Sequence, residues 1–244
     1  DTLAHVSRDY IHRRWHQEEL TFSMVYAFSE HFVLPLSHDE VVHGKRSLIG
    51  RMPGDPWRKF ASLRTLYGYM MAHPGGKLLF MGGEFGQFVE WRFAESLEWF
   101  LLKYETHRTL MAYVKALQHV YRADRSLWEQ DDSWQGFRWH RCDDAESGIL
   151  AFSRWSSDGR DMTLVVLNWI PAPQHGYRIG VPFPGEYRVV LDSDDPAYGG
   201  SGYRTSRAEP SRIVSAPEPA DGLGDSIRID VPPLAAVYMK HQAL

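Results

Sequence analysis

Four side chains able to do chemistry crowd into the six residues His38-Asp39-Glu40-Val41-Val42-His43. They follow the apolar run Phe32-Val33-Leu34-Pro35-Leu36, with Ser37 between. A carboxylate at the mouth of a buried strand can act as nucleophile, proton donor, proton acceptor or charge stabiliser. A histidine beside it can donate hydrogen bonds to a substrate hydroxyl. The same residues also suit a plain polar loop with a helix cap, and residue types alone do not choose between the two. A metal held by His38, Asp39 and His43 is a weaker alternative, because their spacing matches no metal motif; none is expected.

The elements that must position this block are legible around it. The apolar run before it reads as a strand. Asp55-Pro56 starts a helix, with Asp at the N-cap and Pro at the first helical position. Trp57, Phe60, Leu63, Tyr67, Met70 and Met71 recur at helical spacing and define one apolar face, until His73-Pro74-Gly75-Gly76 stops the helix. Lys77-Leu78-Leu79-Phe80-Met81 reads as a second buried strand, cut off by Gly82-Gly83. Leu110, Tyr113, Val114, Leu117, Val120 and Tyr121 mark another helix.

Strand alternating with helix is the grammar of parallel α/β structure, in which polar residues after strand ends form catalytic loops. This half holds roughly 130 residues where a closed eight-stranded barrel takes about 250, so it is at most part of one.

From about residue 135 the period becomes two. Ile227, Ile229 and Val231 alternate with Arg228 and Asp230, and Tyr187, Val189 and Leu191 with Arg188 and Asp192, although Val190 falls out of step. Gly148 to Trp155, Met162 to Trp169 and Ala235 to Lys240 supply further strands, and Gly136 to Arg141 a weaker one. The expected fold is therefore α/β plus all-β: part of a barrel over residues 1-130, then an antiparallel β-sandwich over 131-244. Asp192 to Gly224, rich in Gly, Ser, Pro and Asp, reads as a long surface loop.

Composition narrows the function classes. A net charge of −4, spread along the chain, gives no basic stripe for nucleic acid and no polybasic segment for an anionic membrane. Cys142 is the only cysteine, which excludes an internal disulfide and argues against a cysteine-based metal site. No apolar run approaches a membrane span and the N-terminus has no signal-peptide pattern, so a cytoplasmic protein is the default. The opening Asp1-Thr2-Leu3, without an initiator methionine, reads as the interior of a longer protein.

Pro35-Leu36-Ser37-His38-Asp39-Glu40-Val41-Val42-His43-Gly44-Lys45 is similar to the fourth sequence region of the α-amylase superfamily, in the form seen in glycogen branching enzymes. Met52-Pro53-Gly54-Asp55, Leu79 to Gln87, Glu90-Trp91, Thr21-Phe22-Ser23-Met24 and the Asp192 to Gly200 stretch resemble further segments of that family, so the likeness runs along essentially the whole chain. Arg46 departs from it, standing where a small residue is common, and Phe88-Val89 precede Glu90-Trp91.

The resemblance implies that the first half is the C-terminal part of a (β/α)8 barrel. It implies a retaining transfer in which an α-1,4 bond of a glucan is cleaved, the glucan is held as a glycosyl ester, and a 6-hydroxyl receives it as an α-1,6 branch. Such chemistry normally uses a nucleophile and an acid/base carboxyl about 5–5.5 Å apart. Asp39 matches a third carboxylate of the family, the transition-state stabiliser, and His38 the neighbouring histidine that contacts the same sugar.

The motifs of the other two carboxylates are not found in the chain. Glu84 is expected to make a structural hydrogen bond, Glu40 to order the loop, and Lys45 and His43 to support it. Trp91 is expected to pack in the core, with a glucan-flanking role as the alternative. No cofactor is implied; the implied partners are α-glucan and the upstream half of the same enzyme. Two other readings are a hydrolase of the same superfamily and a non-catalytic glucan-binding module.

Overall fold

The computed structural model describes residues 1–242. β1 (Val33–Leu36) and β2 (Gly76–Leu79) form a parallel pair, with Val33 opposite Gly76 and Leu36 opposite Leu79. They are joined through α1 (Pro56–Ala72), which starts as its sequence dictates: Asp55 accepts the Arg58 N–H at 2.9 Å and Pro56 opens the helix. α2 (Glu105–Ala123) packs beside it.

Two expectations fail in this half. β1 and β2 are not buried strands, since Val33 and Leu78 are exposed; the pair has no further strand beside it among the described residues. Conversely, α1 is not one-sided. Every residue from Phe60 to Ala72 is buried, including Ser62, Arg64 and Thr65, because α2, the strand pair and a second sheet surround it.

That second sheet is six-stranded and antiparallel, in the order β3-β4-β5-β10-β7-β8. Its strands are β3 (Phe137–Asp144), β4 (Ile149–Trp155), β5 (Met162–Asn168), β7 (Glu186–Asp192), β8 (Arg212–Val214) and β10 (Ala235–Gln242). β6 (Gln174–Val181) pairs with β9 (Asp225–Val231) to make the facing layer. One face of the large sheet meets that layer through Ala151, Leu164, Val166, Val237 and Met239 against Ile179, Ile227 and Ile229. This is the expected antiparallel β-sandwich. The other face, with Phe152, Val165, Leu167, Ala236 and Tyr238, joins the core of α1 and α2. Burial of both faces explains why β4 and β5 are apolar almost throughout instead of alternating.

The break in the β7 pattern has a local cause. Tyr238 pairs with Leu191 but Met239 with Val189, so Val190 is an extra residue in the ladder. The bulge turns Leu191 into the helix-side core while Tyr187 stays in the sandwich core. The stretch after Asp192 is also more than a surface loop. It carries β8, and Ser193 and Asp194 are buried. Asp194 accepts the Ser201 and Tyr203 N–H groups at 2.7 and 3.0 Å, while Arg64 of α1 donates to the Ser193 carbonyl at 2.8 Å.

Gly68 sits in the middle of α1, where glycine is unfavourable by about 1 kcal/mol. A Cβ there would lie 2.5 Å from the Ala236 Cβ of β10 and 2.9 Å from the Tyr113 hydroxyl. Close approach of helix and sheet is its reason. Gly68→Ala is therefore expected to destabilise by about 1–3 kcal/mol despite its better helix propensity; an unchanged or raised thermal midpoint would show that the contact yields.

Three buried histidines are held neutral. His5, His73 and His140 each place Nδ1 against a backbone carbonyl, of His16, Pro74 and Gly180, so that nitrogen carries the proton. Burial pushes all three down to about 4. Between about pH 6.5 and 4 the unfolded chain binds more protons than the native one, so acidification destabilises, by on the order of 2–3 kcal/mol per histidine. Asp192, driven up to about 7 by burial, opposes this in the same window, one group against three. The thermal midpoint of the protein should fall as pH is lowered from 7 to 4.5; a flat profile would count against this balance.

Candidate active site

β1 ends at Leu36, and its carbonyl accepts the Phe80 N–H at 2.9 Å, which fixes where the two strands diverge into loops. Ser37 is extended, and His38–Glu40 then make a single 3₁₀ turn. This turn lifts both candidate side chains into solvent: His38 is 52% exposed and Asp39 71%, with His38 Nε2 3.4 Å from Asp39 Oδ1. The structure thus brings His38 and Asp39 together.

The histidine stands on aromatic rings. Its centroid is 5.9 Å from Phe80 and 5.8 Å from Trp91, the latter edge-on, and Phe80 and Trp91 meet edge-on at 5.2 Å. Trp91 is half-buried, and its ring supports His38. Glu40 turns away from the exposed pair and meets Arg51 at 3.3 Å, while Arg51 also donates to the Glu40 carbonyl. Glu40 thereby ties the turn to the short helix Leu48–Arg51, in keeping with a loop-ordering role.

The loop beyond is held by a residue that sequence reasoning left without a task. Glu90 accepts the Arg46 N–H at 2.7 Å and the Gly44 N–H at 3.1 Å, and these bonds, with His43 at 3.3 Å, hold its carboxyl below the usual range. The adjacent Trp91 N–H donates to the Val41 carbonyl at 2.8 Å. Nothing near Glu90 in the chain signals this, because the bonded groups are 44 and 46 residues away. Arg46 has φ +66°, a left-handed backbone that favours small residues, so its departure from the family pattern carries a conformational cost of about 1–2 kcal/mol. Glu84, expected to make a structural hydrogen bond, makes no side-chain hydrogen bond among the described residues.

A separate cavity of about 390 Å³ opens beside β1, lined by Leu34, Leu36, Leu66, Tyr69, Met70 and His73 among others. It is mainly apolar and includes neither His38 nor Asp39. The described residues contain no cluster of metal-ligating side chains, and no helix among them is long and apolar enough to cross a membrane.

Comparison with known proteins places this geometry. Residues 139–242 match the family described as alpha amylase, C-terminal all-beta domain. The chain is 51% identical over 240 residues to the 1,4-alpha-glucan branching enzyme of Halothermothrix orenii, covering 98% of this chain and 38% of that protein. It is 50% identical over 242 residues to the enzyme of the same name from Aquifex aeolicus, covering 99% and 38%. For that of Rhodospirillum rubrum the identity is 46% over 240 residues, covering 98% and 32%. The chain thus spans about a third of the length of these relatives. An identity near one half over nearly the whole chain assigns it: the chain belongs to the 1,4-alpha-glucan branching enzyme family of the alpha-amylase superfamily and corresponds to the C-terminal portion of its members.

Proposed function

We propose that this chain is part of a cytoplasmic branching enzyme of glycogen biosynthesis, which cleaves α-1,4 bonds and rejoins the glucan to a 6-hydroxyl as an α-1,6 branch. Residues 1-130 form the C-terminal part of its (β/α)8 barrel, and residues 131-244 the domain behind it. The observation that carries the reading is the identity of 51% over 240 residues to a branching enzyme. The exposed apolar side chains of the β1-β2 pair support further strands beside it, because parallel strands are normally covered on both faces.

Asp39 is the transition-state stabiliser and His38 a substrate contact. As the glycosidic bond breaks, positive charge develops on the sugar ring. A fixed carboxylate at the ring's hydroxyls is worth more in that state than in the ground state, which is what accelerates the reaction. The His38 ring, held by Phe80 and Trp91, presents its nitrogens to the same sugar with little freedom to lose. The covalent step requires a nucleophile and a proton donor on opposite sides of one bond, and neither motif occurs in residues 1–244. Electrostatic stabilisation cannot replace them.

Purified residues 1–244 should therefore form no α-1,6 linkages on amylose, and adding the upstream fragment of the enzyme, expressed separately, should restore some branching. New α-1,6 linkages from the isolated chain would refute the assignment of roles. New reducing ends without branches from the complemented enzyme would favour a hydrolase.

A further inference from the structure

The loop after the His38-Asp39 turn has a conformation that its own sequence stabilises only at Gly44. Gly44 (φ +85°) and Arg46 (φ +66°) are both left-handed. Backbone N–H groups that converge in a turn containing left-handed residues form a concavity that attracts an anion. Here the anion is internal: the Glu90 carboxylate takes the Arg46 N–H on Oε1 at 2.7 Å and the Gly44 N–H on Oε2 at 3.1 Å. The next residue continues the clamp. Trp91 bonds the Val41 carbonyl through its N–H at 2.8 Å and sets its ring edge-on to His38 at 5.8 Å. One dipeptide from the segment after β2 thus grips the far end of the loop and the imidazole at its near end.

We propose that Glu90 is a positioning residue for His38 and Asp39, acting by filling this backbone nest and so fixing the loop and Trp91. The inference rests on the role given above to Asp39. The contacts of Glu90 are with the loop at Gly44, Arg46 and His43, so its influence on Asp39 runs through geometry. A displacement of about an ångström in a reacting arrangement can cost on the order of 100-fold in rate.

The test uses the whole enzyme and three variants. Glu90→Gln replaces one acceptor oxygen by an NH₂ that faces another N–H. It should lower kcat about 10- to 100-fold, with KM little changed and the thermal midpoint close to that of the parent. Glu90→Ala leaves the nest empty. Added acetate or formate should restore part of its kcat in a saturable way, whereas chloride at the same ionic strength should not. Asp39→Asn, assayed in parallel, tests the underlying reading. An inactive Asp39→Asn with near-normal Glu90→Gln and Glu90→Ala overturns the positioning role alone. Near-normal turnover in Asp39→Asn overturns the reading beneath it. A Glu90→Ala loss that follows a lowered thermal midpoint and is not rescued by carboxylates also overturns the inference, because the residue would then serve only the fold.

Discussion

Asp39→Asn in the whole enzyme is expected to lower kcat by about 100- to 1000-fold while leaving the protein folded. The size follows from what one preorganised group contributes where transition-state charge develops, about 2.7–4 kcal/mol. The substitution keeps the shape of the side chain and one acceptor oxygen and removes the charge. The fold should not notice, because Asp39 is 71% exposed and the one side chain within ion-pair distance of it among the described residues is His38 at 3.4 Å. KM should change less than kcat, since the lost interaction is stronger in the transition state than in the ground state. The measurement is steady-state branching on amylose, with circular dichroism and a thermal midpoint to establish folding. A folded variant within about 3-fold of parent turnover would remove Asp39 from the chemistry, given the magnitude above.

The largest effect on stability is expected at Arg154, far from the chemistry. Its side chain is completely buried on β4. Nε donates to the Gly136 carbonyl at 3.0 Å, one terminal nitrogen to the Ala72 carbonyl at 2.7 Å, and the other to the Gln130 carbonyl at 3.1 Å and the Asp131 carboxylate at 2.5 Å. The Ala72 carbonyl lies at the C-terminal end of α1, where a cation also meets the negative end of the helix dipole. Arg154→Leu leaves two buried carbonyls, the part-buried Gln130 carbonyl and the partly exposed Asp131 carboxylate without their donor, and removal of one partner from a buried pair costs up to about 3–5 kcal/mol. For a unit of this size that is a fall of roughly 6–20 °C in thermal midpoint. Arg154→Lys should rescue little, since an ammonium cannot reach four acceptors in the plane of a guanidinium. A shift of less than about 2 °C in either variant would show that water replaces the donor at small cost.

The β-domain's place in the molecule follows from these contacts. Its large sheet gives one face to the sandwich and the other to α1 and α2, so removing it would take away Phe152, Val165, Leu167 and Tyr238 and expose the helix residues they cover. Loss of stability is therefore the first consequence expected of its absence.

The amino-acid sequence by itself determined what short-range physics can fix. Asp55-Pro56 set the start of α1, because a cap and its N–H partner lie three residues apart. The apolar spacing of α2, the period-two strands and the His38-Asp39 block were legible for the same reason, and the block carried the family. The tertiary structure alone decided the rest. Arginine reads as a surface residue, yet Arg13, Arg64 and Arg154 are buried, with backbone partners 156, 129 and 82 residues away. The one-sided pattern drawn for α1 failed because α2, the strand pair and the large sheet close around it from several sides. Glu90 offered no signal, since its partners are backbone N–H groups that meet it only when the loops after β1 and β2 come together. Periodicity and caps act over one turn or one strand pair, whereas the burial of a charge or the filling of a nest depends on which distant segments the fold sets side by side.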